Sequence, residues 1–257
     1  MPAPRIGLQL YTLRDECAAD LLGTLRRVAE LGYEGVEFAG YFGVPADELH
    51  GVMEELGLTA IASHIGLPAL RERLSQEIRY LLDISCSYLV CPGVPGDEHD
   101  AESWRRNIPL LRQAADQAAQ AGLQFAYHNH AYEFQLELDG MPVFDRLFPY
   151  DAVDPAFRSE LDTCWAAHAG RDPLAMIRRL SGHVPLLHLK DYRITEGNEL
   201  DTLPLGEGEA PLDAIIETAS DAGVRWLIVE QDDAGSDTPL ACVERSMQWL
   251  IANRHRT

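Results

Sequence analysis

The 257-residue chain has no apolar run long enough to span a bilayer, no signal-peptide pattern in Met1–Arg5, no CxxC pair and few basic residues. Each absence excludes something. A spanning helix needs about 20 consecutive apolar residues, so no membrane-embedded protein is expected. Without the charged, apolar and small-residue pattern of a secretory leader, a cytoplasmic protein is expected. Cys17, Cys86, Cys91, Cys164 and Cys242 are odd in number and scattered. That favours reduced thiols over a disulfide framework or a cysteine zinc site. Lys and Arg total 21 against 41 Asp and Glu, a formal charge of −20. Such a field repels nucleic acid and anionic membranes and disfavours a substrate with several phosphates. GxGxxG after the first strand and GxxxxGK[ST] are both missing, which argues against a dinucleotide fold or a P-loop. Gly206-Glu207-Gly208-Glu209 reads as a turn before a helix.

What is there is an alternation. Short apolar runs without period-2 polarity, as expected of strands buried on both faces, occur at 6–11, 35–38, 58–63, 88–91, 124–128, 157–161, 185–189 and 226–229. Between them lie stretches of helical apolar spacing, such as Leu21, Leu22, Leu25, Val28 and Leu31 before Gly32. Helices are expected at about 20–31, 45–56, 68–82, 101–121, 143–148, 173–180, 211–222 and 239–252, several of them stopped by glycine. Strands alternating with helices mean a parallel sheet. Eight such units in a chain close to the typical ~250 residues, with no linker between halves, give an α/β single-domain (β/α)8 TIM barrel.

In such a barrel the carboxyl ends of the strands converge on one face, where active sites sit. Strand one ends in Gln9 and Tyr11 with Arg14 beyond, strand two in Glu37 and strand three in His64. Strand five ends in His128, Asn129 and His130, followed by Glu133; strand six ends in Asp162. Strand seven delivers His188, Lys190 and Asp191, and strand eight Glu230 and Asp232. Mixed imidazole and carboxylate donors suit one divalent cation of the Mn, Co, Mg, Fe or Zn group and favour a transition metal over calcium. Each donor has an ordinary alternative. Asp162 caps the following turn, His188 bonds a backbone carbonyl, and Glu230 pairs with Lys190. Jointly, three ionisable groups ending three successive apolar strands call for a ligand, because unpaired buried charge is costly. Glu37 is expected to bind substrate hydroxyls or to pair with Arg14. Lys190 contacts a substrate oxygen or pairs with Asp191 or Glu230. Tyr11 and Trp165 stack on a substrate ring or simply pack, and Gln9 and Asn129 are placed on the substrate side. His50, His99, His168, His183 and His255 are assigned to surface or helix-end roles.

Gly7-Leu8-Gln9-Leu10-Tyr11-Thr12-Leu13-Arg14, Tyr127-His128-Asn129-His130 with Glu133-Phe134, Leu161-Asp162-Thr163, His188-Leu189-Lys190-Asp191 and Val229-Glu230-Gln231-Asp232 resemble the sugar phosphate isomerase/epimerase family of xylose-isomerase-like barrels, from strand one to strand eight. The resemblance implies one divalent metal, with Asp162, His188 and Glu230 on the family's ligand positions. The chain departs at strand five, where His128 stands in place of the epimerases' glutamate, so His128 or Glu133 completes the set. That departure leans toward the dehydratase and lyase branch.

The implied chemistry is proton removal next to a carbonyl, with Glu230 as base and His130 or His64 as partner or general acid. Reprotonation gives an isomer or epimer; loss of a β-hydroxyl gives elimination. The first expectation is a metal-dependent isomerase or epimerase of an unphosphorylated sugar or polyol. The second is a dehydratase or lyase acting on a keto-inositol or 3-keto-glycoside. The third is a non-catalytic sugar-binding barrel or a nuclease-like relative. Homo-oligomerisation stays open.

Overall fold

The computed structural model describes residues 3–150 and 154–253; His255 lies outside them. Eight parallel strands close into a barrel: β1 (Arg5–Gln9), β2 (Gly35–Phe38), β3 (Thr59–His64), β4 (Tyr88–Cys91), β5 (Gln124–His128), β6 (Phe157–Asp162), β7 (Leu186–Leu189) and β8 (Trp226–Val229). Each pairs with its neighbours in sequence, and β1 pairs with β8 to close the ring. Helices cover the outside, burying stripes such as Leu21, Leu25 and Val28 against the strands.

The period of 2 along each strand sorts the interior into layers. At the bottom Ile61, Ala62, Tyr88, Val90, Ala126, Leu186, Trp226 and Ile228 form a buried apolar cluster of their own. Small residues make it fit. A Cβ on Gly35 would come within 2.6 Å of the Thr59 carbonyl oxygen and 2.9 Å of the Ile61 side chain. Two residues further along the same inward rows come Glu37 after Gly35, His128 after Ala126, His188 after Leu186 and Glu230 after Ile228. The plug therefore becomes polar within one layer, at the carboxyl end. The β2–β3 register shifts between Val36 and Glu37, a bulge of the kind that re-aims a side chain.

Several elements differ from the sequence reading. The first helix runs Arg14–Leu31 and is broken at Asp20 (φ −159°, ψ 89°), whose Oδ1 accepts from the Gly23 amide. Asp20 thus starts the second segment, the point from which apolar spacing is regular. The stretch at 68–82 is two helices, Leu67–Glu72 and Leu74–Asp83, parted at Arg73. Leu10–Leu13 winds into a 3-10 turn instead of extending β1, because the Gln9 side chain accepts from the Tyr11 amide. A short helix follows β6 directly (Thr163–His168), and two hairpins, Glu137–Leu138 with Met141–Pro142 and Asp191–Ile194 with Leu200–Leu203, decorate the rim.

Candidate metal centre

Glu37, Asn129, Glu133, Glu160, Asp162, His188 and Lys190 have no solvent exposure, and His128 has 2%. Burying that much charge requires compensation, and the side chains meet in two layers that share two histidines. The outer group is His128, Asp162, His188 and Glu230; the inner is His64, His128, Glu160 and His188. Within each, one donor atom per residue lies within 4.8 Å of the others.

In the outer layer His188 Nδ1 lies 2.8 Å from Glu230 Oε2 and 3.9 Å from Asp162 Oδ2, and His128 Nε2 is 4.0 Å from Asp162 Oδ2. Lys190 Nζ sits among three carboxylates, at 3.0 Å from Asp162, 2.7 Å from Glu230 and 2.9 Å from Asp232. In the inner layer Glu160 Oε1 is 2.9 Å from His64 Nε2, 3.1 Å from His128 Nδ1 and 3.1 Å from His188 Nε2. Glu37 Oε2 is 2.8 Å from His188 Nε2. Two imidazoles with two carboxylates form a donor set that suits a borderline transition-metal cation. Asp162 Oδ2 is buried and accepts no well-directed hydrogen bond, although Lys190 Nζ is near. The outer group therefore fits a divalent cation, and Asp162, His188, Glu230 and His128 are the residues that would hold it.

Charge states follow from the neighbours. Burial disfavours protonated His64, but Glu37 and Glu160 overcome it and raise its pKa to about 10. His188 is likewise raised well above its ordinary value: burial opposes the charge, and Glu160 and Glu230 outweigh it. Burial opposes ionised Glu230 too, yet Lys190 and His188 hold its pKa well below the carboxylate range. His128 is pushed far down by burial and by His188. Burial and the Lys190 ammonium depress His130 to about 4. Both His64 and His130 flank His128, with ring centroids at 5.2 and 5.0 Å.

Other expected residues are placed differently. Both oxygens of Glu133 are engaged, Oε1 by the Tyr127 hydroxyl (2.7 Å) and Oε2 by the His130 amide (2.8 Å). The strand-five donor in the outer group is thus His128, and Glu133 is not in it. The Asn129 side chain clamps β5 to β6, donating to the Asp162 carbonyl and accepting from the Asp162 amide, so it positions Asp162 from behind instead of offering its amide to a substrate. Glu37 points to His188 and His64, while Arg14 bonds the carbonyls of Tyr11 and Asp232; the pairing of these two does not form. Asp191 turns away from Lys190 and accepts the amides of Tyr192, Gly206, Gly208 and Ala210. The glycine turn at 206–209 thus holds the chain's own carboxylate. Asp162 combines two expected roles, since its Oδ1 caps the following helix at the Trp165 amide while Oδ2 faces the donor group. Gln9 is fully buried with Nε2 unpartnered. Tyr11 is exposed beneath the Arg14 guanidinium, 4.6 Å from the ring centroid. Trp165 packs 5.4 Å from His130 and 5.7 Å from Lys190 Nζ. Glu160 went unassigned in the sequence, although it stands two residues before Asp162 and so faces the same way.

The family model described as xylose isomerase-like TIM barrel matches residues 25–253. The chain belongs to that family. Among curated proteins, this xylose isomerase-like barrel is similar to the inosose dehydratase of Mesomycoplasma hyopneumoniae strain J. The two are 28% identical over 149 residues, covering 51% of this chain and 48% of the relative. The chain thus spans about half the length of the curated relatives it matches. A sugar phosphate isomerase/epimerase from Parabacteroides distasonis superposes with a TM-score of 0.79 at 23% identity, over 98% of this chain and 95% of that one. The IolI protein with a bound zinc atom superposes with a TM-score of 0.76 at 14% identity, over 97% and 98%. At these identities the structural likeness establishes the fold alone.

Proposed function

We propose that this chain is a divalent-metal-dependent lyase that eliminates water from an unphosphorylated keto-polyol of the keto-inositol or keto-sugar class. The observation that carries the reading is the pair of histidines whose rings flank His128 at 5.2 and 5.0 Å in unlike surroundings, His64 against the Glu160 and Glu37 carboxylates at 2.9 and 3.4 Å and His130 facing the Lys190 ammonium. His130, depressed to about 4, enters neutral; His64, raised to about 10, enters as imidazolium. Elimination needs one group to accept the proton next to the carbonyl and another to donate a proton to the departing hydroxyl. Titratable groups whose surroundings drive their pKa values apart are the usual mark of such a division. A bound divalent cation supplies Lewis-acid polarisation of the substrate carbonyl.

The chain's own groups do the rest. His130 accepts the proton, and the negative charge growing on the substrate raises its proton affinity against the effect of Lys190. His64 gives its proton to the leaving hydroxyl. Glu230, tied to Lys190 and His188, is held ionised and so fixes charge in the outer group. The acidic surface, with its formal charge of −20, supports a neutral substrate over a phosphorylated one. The inosose dehydratase relatives point the same way.

Isomerisation or epimerisation of a sugar is the second reading. It is favoured by the Glu230 carboxylate 2.8 Å from His188, a further proton-handling group at the same mouth. Incubation with keto-inositols and keto-sugars in the presence of Mn²⁺, Co²⁺ or Zn²⁺ separates the two. Elimination predicts a rising enone absorbance that a chelator abolishes. A clean isomer without enone selects the second reading. Sugar retained without turnover and indifferent to chelator overturns both. Asp162→Ala is expected to lower the bound cation from one per chain to near none by elemental analysis; full stoichiometry in that variant sinks the site itself.

A further inference from the structure

Glu160 belongs to the inner donor group and lies outside the set that would hold the cation. It is fully buried on β6, and its Oε1 sits 2.9, 3.1 and 3.1 Å from three imidazole nitrogens, those of His64, His128 and His188. Oε1, shared by three ring nitrogens, acts as the acceptor, so each nitrogen bonded to it carries a hydrogen and donates. The neutral ring has one N–H and one lone pair. A hydrogen on His128 Nδ1 leaves the lone pair on Nε2, the atom facing Asp162 Oδ2 at 4.0 Å. His188 donates from both nitrogens in the cation-free chain, Nδ1 to Glu230 at 2.8 Å; a cation between Glu230 and Asp162 would take the place of the Nδ1 hydrogen, while Glu160 and Glu37 keep the one on Nε2. The lone pair of each neutral ring then falls in the outer donor group. Glu37 Oε2, 2.8 Å from His188 Nε2, holds the same hydrogen from a second side.

We infer that Glu160 is a positioning residue that selects the ligating nitrogen of both metal-binding histidines at once, with Glu37 reinforcing the choice at His188. The inner layer is then the hydrogen-bonded support of one cation and not the seat of a second. The inference rests on the metal-dependent reading above. It gives physical content to the register shift beside Glu37 and to the inward row Glu160–Asp162. One strand supplies a cation ligand and, one layer deeper, the group that orients the neighbouring strands' ligands. Outer partners of this kind are typically worth about 10- to 100-fold in metal affinity.

The test uses the full chain loaded with Zn²⁺ and labelled with ¹⁵N-histidine. Long-range ¹H–¹⁵N correlation is expected to find His128 protonated at Nδ1 and His188 at Nε2, with one zinc per chain. Glu160→Gln, which keeps the side-chain shape, is expected to scramble both patterns. It should also weaken zinc by roughly 10- to 100-fold in competition with a chromophoric chelator. Glu37→Gln should disturb His188 but leave His128 unchanged. Opposite tautomers, an unaltered affinity in Glu160→Gln, or two zinc ions per chain with one lost in that variant would each overturn the inference. Should Glu160→Gln fail to fold, the tautomers of the unsubstituted protein decide alone. A wild-type chain that binds no zinc or other divalent cation sinks the proposed function, and the inference with it. One that binds zinc while Glu160→Gln binds equally well sinks only the inference.

Discussion

Lys190 concentrates the electrostatics of the mouth in one atom. Its ammonium is fully buried and within 3.0 Å of Asp162, Glu230 and Asp232, which raise its pKa well above the usual lysine value against the opposing effect of burial. Removing one partner from a buried ion pair costs about 3–5 kcal/mol, because the other charge is left uncompensated. For a chain of this size that is a melting shift on the order of 10 °C. Lys190→Met is expected to lose that much in metal-free protein and to recover part of it with divalent cation, which returns positive charge between Asp162 and Glu230. Calorimetry with and without cation checks this; equal losses in both would detach Lys190 from the cation group. Glu133 gives a pH signature of its own. Burial pushes it up to about 7, partly offset by the Tyr127 hydroxyl and the His130 amide. The native chain then binds more protons than the unfolded one between pH 4.5 and about 7. Stability falls as pH rises through that window, is fully supported below it, and loses about 3 kcal/mol across it. Urea unfolding at pH 4.5 and pH 7.5 should show Glu133→Gln losing this part of the slope.

At the scale of elements, the strands carry two messages, and only one is visible in their composition. Apolar content marks Leu186–Leu189 and Trp226–Val229 as buried strands. The period of 2 decides what faces inward, and applied to Glu160-Leu161-Asp162 it places both acids in the barrel. Loop chemistry was less legible. Asp191 follows Lys190 directly, which suggests a pair, yet four backbone amides draw its carboxylate into the turn at 206–210. The hairpin Asp191–Ile194 with Leu200–Leu203 is fixed by that anchor and by its own pairing, neither of which shows as a long apolar run. A Cβ on Gly208 would fall 2.3 Å from Asp191 Oδ1 and 2.6 Å from the Tyr192 carbonyl oxygen. Gly208→Ala is therefore expected to loosen the turn, read as faster amide exchange at Gly206, Gly208 and Ala210, with a stability cost of about 1–3 kcal/mol. Retained protection at those amides would count against the anchor.

For the whole molecule, eight parallel strands closed by β1 on β8 bring to one face side chains far apart in sequence, Glu37 and Glu230, 193 positions apart, both meeting at His188. No helix among the described residues is long and apolar enough to cross a membrane. The sequence by itself determined the barrel, because alternating strand and helix patterns in eight units leave few other packings. It also determined Asp162, His188 and Glu230 as one group, because acids and imidazoles ending apolar strands must share a face. Tertiary structure alone decided that His128 and not Glu133 joins them, that Asn129 and Asp191 serve the backbone, and that Glu160 lies beneath the histidines. Those outcomes depend on which hydrogen-bond partner lies within about 3 Å. Sequence spacing fixes the direction of a side chain along its own strand, but the distance to a partner on another strand is set only when the barrel closes.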